Sequence, residues 1–368
     1  MTINIALLGF GTVASGIPLL LQENGEKITS EAGTEIQIAK VLVRDDAEKD
    51  ALLAKGHDFN FVTDISAILN DDTVDIVIEL MGRIEPAKTF ITQALQAKKH
   101  VVTANKDLLA VHGTDLLKVA KDNGVVLYYE AAVAGGIPIL RTLANSYTAD
   151  KITKILGVVN GTSNFMMTKM VDEGWTYDEA LAEASRLGYA ESDPTNDVDG
   201  IDAAYKMVIL SQFAFGMTIK FEDVRHEGIR HITPEDVKLA QKLGFVIKLV
   251  GEIVERPSGI YAEVVPTFLP KNHQLATVNG VMNAVFVESI GINEAMFYGP
   301  KKKKKPTATS VVADVIELAK GINKGDVLPA FNTFTRETVY ATKEDLVDKY
   351  YFAIETEDKA GQLLHLAE

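Results

Sequence analysis

The sequence predicts an α/β fold, a Rossmann-like doubly wound parallel sheet followed by a second α+β domain. Three observations predict it. Short apolar runs alternate with helical periodicity over the first third of the chain, which is typical of parallel strands joined by helical crossovers. The first run leads into a glycine-rich turn, GFGTVA at 9–14. After Gly135 the alternation stops, and long helical patterns with fewer strands follow.

Each strand expected in the first domain is a short apolar run bounded by turn residues. The five runs lie at 3–8, 36–43, 74–80, 100–105 and 125–130. Helical spacing falls at 15–22, 86–98 and 107–122. Because continuously apolar strands are buried on both faces, helices must cover both sides of this sheet.

The second region begins with helices that continue to about 244, apart from one strand pattern at 153–160. Further apolar or strand-like stretches follow, at 245–254, 260–268 and 282–288, and a helix is expected over 307–320. We therefore place the nucleotide-binding domain at 1–134 and the second domain at 135–300. A segment at 301–345 is expected to return and complete the first domain.

Composition excludes whole classes of function. The 368 residues include 37 Lys and Arg, 51 Asp and Glu and no Cys, for a formal charge of −14. Nucleic-acid binding is disfavoured, because phosphate contacts need clustered cations. Without Cys there is no disulfide, no Cys-ligated zinc and no thiolate nucleophile. The amino end lacks a basic leader, and the apolar run at 131–140 is shorter than a membrane span. We expect a soluble cytoplasmic protein without nucleic-acid or membrane partners.

The turn at 9–14 has the residue types of a dinucleotide site. Gly9 permits the tight turn, Gly11 lets the backbone approach a pyrophosphate, and the small Ala14 lets helix pack on strand. The amino end of the helix would then face the phosphates. A purely structural glycine turn is the alternative, but the position between a strand and a helix favours a nucleotide site.

The end of the second expected strand reads Val43-Arg44-Asp45-Asp46. An Arg at this point would hold a 2′-phosphate, whereas a carboxylate would bind ribose hydroxyls. Arg44 comes first and favours NADP(H), while Asp45 leaves NAD(H) open. A solvated charged turn is the alternative without a cofactor.

Five carboxylates fall within 191–202. A calcium-binding EF-hand loop is excluded, because Thr195 and Lys206 occupy its first and twelfth positions. Asp202 and Lys206 are four residues apart and could form an ordinary surface pair on a helix. However, the apolar run MVILSQFAF follows at once. It favours a helix that enters the core with its first turn at a pocket, where a buried lysine could transfer a proton.

Taken together, these residues make the chain similar to the homoserine dehydrogenase family. The segments that carry the resemblance cover nearly the whole chain in order: ALLGFGTVASG, ELMGRIEPA, HVVTANKDLLA, EAAVAGGIPIL, VVNGTSNFMMTKM and YAESDPTNDVDGIDAAYKMVILS. The resemblance implies reversible NAD(P)H-dependent reduction of L-aspartate 4-semialdehyde to L-homoserine, in threonine, isoleucine and methionine biosynthesis.

The resemblance also implies roles for single residues. Lys206 matches the lysine that exchanges a proton with the reacting oxygen, and Lys106 matches a second active-site lysine near the nicotinamide. The implied substrate-binding residues are Glu191, Asp202, Asp197, Tyr189 and Thr162. The implied cofactor-binding residues are Gly9, Phe10, Gly11, Thr12, Val13, Ala14, Arg44, Lys106 and Gly188.

Residues 130–137 resemble a loop that binds a monovalent cation. The carbonyls of Glu130, Val133, Gly135 and Ile137 would coordinate sodium, a hard ion that prefers oxygen ligands. A tight hinge between domains is the alternative, and both interpretations can hold. The resemblance further implies a homodimer, built by strands of the second domain, which is then the catalytic and dimerisation domain.

The chain departs from the family pattern in three places. Lys301–Lys305 replaces a glycine-rich stretch, so the family's cofactor contact from that stretch is not carried over. Arg83 stands where a second glycine is common. Residues 349–368 resemble the opening of an ACT regulatory domain but are too few to form a core. Threonine control, known for relatives with a full ACT domain, is therefore not carried over.

Three other functions are alternatives to this prediction. An acylating semialdehyde dehydrogenase needs a cysteine thiolate and is excluded by the absence of Cys. None of the 7 His falls in a motif, so a His-based dehydrogenase is not favoured. A nucleotide-binding regulatory protein without turnover stays open as the alternative.

Overall fold

The computed structural model of the chain describes residues 2–300, 304–352 and 354. It contains two six-stranded sheets with helices packed around them. The sequence predicted this α/β class, and the sheet topology confirms it. Among the described residues, no helix combines the length and the apolar character needed to cross a bilayer.

The first sheet is wholly parallel, with the strand order β3-β2-β1-β4-β5-β6. Its strands are β1 Thr2–Leu8, β2 Glu35–Leu42, β3 Phe61–Val62, β4 Ile76–Glu79, β5 His100–Thr103 and β6 Leu127–Tyr128. The helices among them are α1 Gly16–Glu23, α2 Gly25–Ala32, α3 Asp46–Ala54, α4 Ser66–Leu69, α5 Ala87–Gln96 and α6 Lys106–Asp122.

The strand order reverses direction at the centre of this sheet. β1 pairs with β2 on one side and with β4 on the other. In open α/β sheets, ligands bind outside the carboxyl ends of the strands at such a switch point. The turn at 9–14 follows β1, and the residues after Glu79 follow β4. The fold therefore places the predicted nucleotide loop at the expected edge.

The second sheet is mixed, with the order β12-β11-β7-β9-β10-β8. Its strands are β7 Ile152–Val158, β8 Arg225–His226, β9 Phe245–Arg256, β10 Gly259–Pro270, β11 Met282–Ser289 and β12 Asn293–Pro300. The helices are α7 Ile139–Ser146, α8 Gly161–Glu173, α9 Tyr177–Arg186, α10 Thr195–Val198, α11 Ile201–Phe215 and α12 Pro234–Lys242. Its long strand pairs are antiparallel, and β8 alone runs parallel to its partner β10.

A long helix, α13 Lys304–Lys324, brings the chain back to the first sheet. It packs on α1 and α2, and the contact is close at Gly16. A Cβ at Gly16 would lie 2.8 Å from the Cβ of Ala308, so only a glycine fits there. The chain then turns to the second sheet, where Tyr340 forms a bridge with Ile260. The predictions for Lys301–Lys303 and for the ACT-like part of 355–368 fall outside the described residues.

Candidate active site

A small, partly enclosed cavity lies where the carboxyl edge of the first sheet meets the second domain. It is formed by the start of α6, the first turns of α8 and α11, and the segment between β6 and α7. Its lining residues are Lys106, Ala131, Ala132, Ala134, Gly135, Val159, Asn160, Gly161, Asp197, Asp202, Lys206 and Asn283. Four of the residues predicted to act on substrate, Lys106, Asp197, Asp202 and Lys206, thus line one cavity.

Helix α11 begins at this cavity because Gly200 lets the chain turn sharply into it. Gly200 precedes the helix with a φ of 82°, in the left-handed region that glycine adopts readily. Asp202 then lies in the first turn and Lys206 in the second, on the face towards the cavity. The apolar residues that follow are nearly all buried. This confirms the expected helix with its first turn at a pocket.

Lys206 is buried, with 8% of its surface exposed. Its Nζ donates to the carbonyl oxygen of Val159 at 2.5 Å and to Oδ2 of Asp202 at 2.6 Å. An ammonium group has three protons to donate. These two bonds fix the direction of the amine and leave one donor for a molecule in the cavity.

Lys106 approaches the same carboxylate from the first domain. Asn105 caps the start of α6 by accepting from Leu108 N at 3.2 Å, which fixes Lys106 in the first turn. Lys106 Nζ lies 3.1 Å from Oδ1 of Asp202 and 3.0 Å from Oδ1 of Asp107. Asp202 therefore contacts a different lysine with each of its two oxygens.

Asp202 and Lys106 each favour the charged form of the other. Burial acts to raise the pKa of Asp202, but the charges of Lys206 and Lys106 outweigh it and hold that pKa well below its usual range. Burial likewise acts to lower the pKa of Lys106, but Asp202 and Asp107 outweigh it and raise that pKa. Near neutral pH, Asp202 is a carboxylate and Lys106 is an ammonium group.

Asn160 connects the lysine cluster to the acidic segment, and the sequence reasoning missed it. Its Oδ1 caps α8 by accepting from Thr162 N at 3.0 Å and Ser163 N at 2.9 Å. Its Nδ2 donates to Asp197 Oδ1 at 2.5 Å and to Asp202 Oδ2 at 2.8 Å. An Asn at the end of a strand and before a helix is a recognisable cap signal, so its first role could have been found.

Four other predicted residues lie beside the cavity rather than in its lining. Thr162 donates from its hydroxyl to the carbonyl oxygen of Tyr189 at 2.8 Å. Gly188, with a φ of 72°, ends the turn after α9 that delivers Tyr189 there. Glu191 is exposed two residues later. Thr162 and Tyr189 thus lie together beside the cavity. Asn160 connects them to Asp197, because it caps the helix that carries Thr162 and donates to Asp197.

The turn at 9–14 has the shape that a bound pyrophosphate requires. Gly9 has a φ of 87°, and a Cβ there would lie 3.1 Å from Cγ of Met81. A Cβ at Gly11 would meet no atom within 4 Å, so a side chain would fill open space that glycine leaves free. Phe10 points away from that space, and its ring centroid lies 4.9 Å from that of His57. These residues fit a dinucleotide cofactor.

The second half of the turn leads into α1. The carbonyl of Val13 accepts from Gly16 N at 2.9 Å, and that of Ala14 accepts from Ile17 N at 3.0 Å. Ser15 Oγ donates to Thr12 O at 3.0 Å. Ala14 is buried under the turn, as its small size predicted. Gly11 and Thr12 stay exposed. A ligand can therefore approach the turn at these two residues.

Arg44 extends from the end of β2 into solvent, with 80% of its side chain exposed. Its Nε donates to Asp45 Oδ2 at 3.0 Å. Asp45 also caps α3, accepting from Glu48 N at 2.8 Å. The carboxylate is thus committed to local structure, whereas the guanidinium is accessible to a ligand.

We name residues 130–137 the cavity loop, because several of them line the cavity. Ala134 and Gly135 are both left-handed, with φ of 55° and 63°. The carbonyl of Gly135 accepts from Ser310 Oγ at 2.8 Å, and that of Ile137 accepts from Ile139 N at 2.8 Å. A carbonyl oxygen has a second lone pair, so each of these two oxygens can still accept one further contact. Among the described residues, no group of three or more His, Asp or Glu could hold a metal.

Arg83 adopts a left-handed backbone with a φ of 63°. Glycine reaches this region without strain, whereas a non-glycine residue does so only when its surroundings hold it there. The carbonyl of Arg83 accepts from Asn105 Nδ2 at 2.6 Å. This bond ties the turn after β4 to the cap of the helix that carries Lys106.

Comparison with known proteins gives one consistent family. Residues 9–130 match the family model described as homoserine dehydrogenase, NAD binding domain, and residues 138–316 match the one described as homoserine dehydrogenase. The homoserine dehydrogenase of Lactococcus lactis subsp. lactis is 59% identical over 368 residues, which span 100% of this chain and 86% of that protein.

Two solved structures extend the agreement to the fold. A homoserine dehydrogenase from Thiobacillus denitrificans superposes with a TM-score of 0.87 at 40% identity, covering 92% of this chain and 79% of that one. A hyperthermophilic archaeal homoserine dehydrogenase in complex with NADPH gives a TM-score of 0.73 at 28% identity, covering 86% and 97%. On these matches, the chain belongs to the homoserine dehydrogenase family.

Proposed function

We propose that the chain catalyses the reversible NAD(P)H-dependent reduction of L-aspartate 4-semialdehyde to L-homoserine, with Lys206 as the proton donor and acceptor. The arrangement of Lys206 carries the proposal. Its buried amine is fixed by Val159 and Asp202 and has one donor left for a molecule in the cavity. Family membership supports the reaction and makes this oxidoreductase the function that the chain supports best.

The chemistry needs a positioned cation at the substrate oxygen. A nicotinamide cofactor, when bound, would supply the hydride chemistry at the aldehyde carbon of the substrate, and would accept the hydride in the reverse reaction. Negative charge then grows on the oxygen, and an ammonium group held in a largely buried site stabilises that charge strongly. Lys206 donates its free proton to this oxygen during reduction and takes it back during oxidation.

Lys106 and Asp202 assist this transfer from the two domains. Asp202 holds both amines in place and keeps the cavity from carrying two uncompensated positive charges. Lys106 adds positive potential beside the substrate and the nicotinamide. We assign Asp197, Thr162, Tyr189 and Glu191 to the binding of the substrate, whose ammonium group suits the carboxylates.

The first domain belongs to a family of NAD-binding domains, and NADP(H) is the cofactor we propose, with NAD(H) as the alternative. The exposed Arg44 supports this choice, because its guanidinium is free to meet a 2′-phosphate while Asp45 caps α3. The turn at 9–14 would hold the pyrophosphate, and Gly188 would contact the cofactor from the second domain.

Sodium is proposed at the cavity loop, held by the carbonyls of Glu130, Val133, Gly135 and Ile137. The two left-handed residues in this loop support it, because they turn successive peptide groups in different directions. Activity at constant ionic strength should rise when sodium replaces a bulky organic cation. Equal rates in both salts would remove this ion from the proposal.

A cytoplasmic homodimer is the assembly that we propose, joined through the second sheet. β12 is an edge strand of that sheet, and edge strands offer unpaired backbone groups to a second chain. Met296 and Tyr298 on β12 are exposed apolar side chains. They support burial of this edge against another copy.

Paired steady-state kinetics with L-homoserine and either NADP⁺ or NAD⁺ tests the proposal, together with the reverse reaction from the semialdehyde. We expect turnover in both directions, with a higher kcat/KM for the phosphorylated cofactor. Cofactor binding without turnover would instead favour the regulatory protein that the sequence left open.

A further inference from the structure

The returning helix α13 holds the cavity loop through two buried polar side chains. Ser310 and Asp314 are one turn apart on this helix and are 4% and 0% exposed. Ser310 Oγ donates to the carbonyl of Gly135 at 2.8 Å. Asp314 Oδ2 accepts from the backbone N–H of Glu130 at 2.9 Å. One helix face therefore binds the loop near both of its ends.

The carboxyl group of Asp314 also binds the helix that follows the loop. Arg141 in α7 donates from Nη2 to Asp314 Oδ1, and its backbone N–H donates to Glu130 Oε2 at 2.7 Å. The other oxygen of Glu130 accepts from Leu140 N at 2.9 Å. These bonds form a largely buried hydrogen-bond network that connects α13, the cavity loop and the start of α7.

The loop needs this support because its backbone is strained. Ala134 is a non-glycine residue with a φ of 55°, and such residues persist only where their surroundings determine the conformation. α13 also confines the loop sterically. A Cβ at Gly136 would lie 2.7 Å from the Cβ of Pro306, so this turn packs directly on the first turn of the helix.

The supported stretch is part of the cavity wall. Ala131, Ala132, Ala134 and Gly135 line the same cavity as Lys206, whereas Ser310 and Asp314 do not line it. A wall that shifts by even about 1 Å misplaces a reacting molecule and can slow a reaction by roughly a hundredfold. The two α13 side chains can therefore act on catalysis only through the loop.

We propose that Ser310 and Asp314 are positioning residues. They hold the cavity loop against α13 and so fix the position of the cavity wall relative to Lys206. The inference rests on the proposed function, because it assigns the loop a part in that reaction. It gives the returning helix a role in the reaction besides its packing on the first sheet.

The test compares Ser310→Thr with Ser310→Val, which have the same shape and differ in one hydroxyl. The Thr variant keeps the donor to Gly135, and the Val variant loses it. We expect kcat of the Val variant to be about three- to tenfold below that of the Thr variant, the effect of one lost hydrogen bond. The KM for NADPH should agree within about twofold, because the turn at 9–14 is untouched.

A second buried serine separates positioning from general stability. Ser211 in α11 is 0% exposed, and its Oγ donates to Val208 O at 2.7 Å and to Met217 O at 2.9 Å, away from the cavity. Ser211→Ala should lower Tm as Ser310→Ala does but leave kcat unchanged. Hydrogen exchange in peptides covering 130–137 should accelerate only in the Ser310 variants that lack the hydroxyl.

Two results would overturn the inference on its own: equal kcat in the Thr and Val variants, or an equal loss of kcat in Ser310→Ala and Ser211→Ala. A wild-type chain without turnover would be a different result. It would overturn the proposed function first, and the role of the loop in catalysis with it.

Discussion

Asp202 binds two lysines that reach it from different domains, and this sharing sets the charge of the site. Oδ1 faces Lys106 and Oδ2 faces Lys206. A carboxylate that is buried between two cations is costly to remove, because each cation then loses its compensating charge. The residue that the sequence suggested for substrate binding thus has a second task, to hold the amines.

Replacing Asp202 with Asn tests this task with almost no change of shape. The carboxylate raises the pKa of Lys106, so its removal should lower that pKa and move the alkaline limb of the kcat/KM profile to lower pH. kcat should also fall by at least about tenfold. A pH–rate profile measures both. An unmoved alkaline limb would mean that Lys106 does not act as an ammonium in the rate-limiting step.

Arg44 gives a prediction about cofactor choice. Arg44→Ala should weaken NADPH binding by about 1–2 kcal/mol, as expected for loss of a charged contact to phosphate, and should leave NADH binding nearly unchanged. Titration of each cofactor measures the two affinities. Lys49→Ala, in the next helix, is the control for a general change of charge. An unchanged ratio of affinities would remove Arg44 as the 2′-phosphate contact.

The sequence identified the charged residues of the site better than the polar ones. Lys206 and Asp202 stood out because they precede a strongly apolar run, and Lys106 came with the family resemblance. Asn160 and Asn283 line the same cavity but were missed. Single amides in a sequence carry no periodic signal, and only the tertiary fold shows that they meet residues tens of positions away.

Most of the polar side chains that line the cavity lie at or near the starts of helices. Asn105 caps α6 before Lys106, Asn160 caps α8, and Gly200 begins α11. A cap fixes the direction of the first turn as well as stabilising it. Lys106 and Lys206 are therefore each positioned by the residue that starts their helix.

Asn160→Ala should reduce both stability and rate. Losing the α8 cap should cost about 1–2 kcal/mol of unfolding free energy, and losing its contacts to Asp197 and Asp202 should lower kcat by about tenfold or more. Thr176→Ala removes the capping box of α9, and Thr176 does not line the cavity, so this variant is the control. Denaturant unfolding and kinetics separate the two effects. If both variants lost stability equally and kept full kcat, Asn160 would be a cap and nothing more.

Most long elements were predicted within a few residues, and the misses have physical causes. β3 was not predicted because Phe61–Val62 is only two residues long. α2 buries only Ile28 and Ala32, so its apolar face is narrow. β12 is an edge strand whose inner face is only partly buried. Elements with little burial leave little pattern in a sequence.

The chain crosses between the two sheets more than once. α13 returns to the first sheet, and the segment after it runs along the second. The domain limits at 134, 300 and 345 stay predictions. The family predicted from the sequence is confirmed by the matches to both halves of the chain.

The free energy of unfolding of the whole protein should depend on pH through Lys248. This residue lies in the second sheet and is 1% exposed. Burial lowers its pKa to about 8. Between pH 8 and the ordinary lysine pKa, the unfolded chain holds a proton that the folded chain has lost. This group therefore makes stability rise with pH over that window, by up to about 1.4 kcal/mol per pH unit.

Lys248→Met should remove this contribution. The unfolding free energy of the wild type should therefore rise relative to that of the variant from pH 8 to pH 10. Denaturant unfolding across that range measures it. A difference that is constant with pH would show that Lys248 stays charged in the fold, held by Asn164, Val278 and Asn279.

The most direct test of the central claim is to measure kcat and the NADPH Kd together for Lys206→Ala and Lys206→Arg. Arg keeps the positive charge but does not release its proton. If the amine at 206 transfers the proton, both variants should lose about 10²–10⁴ in kcat while NADPH binds within about threefold of wild type. Turnover near the wild-type rate in either variant, or a loss of NADPH affinity as large as the loss of kcat, would contradict it.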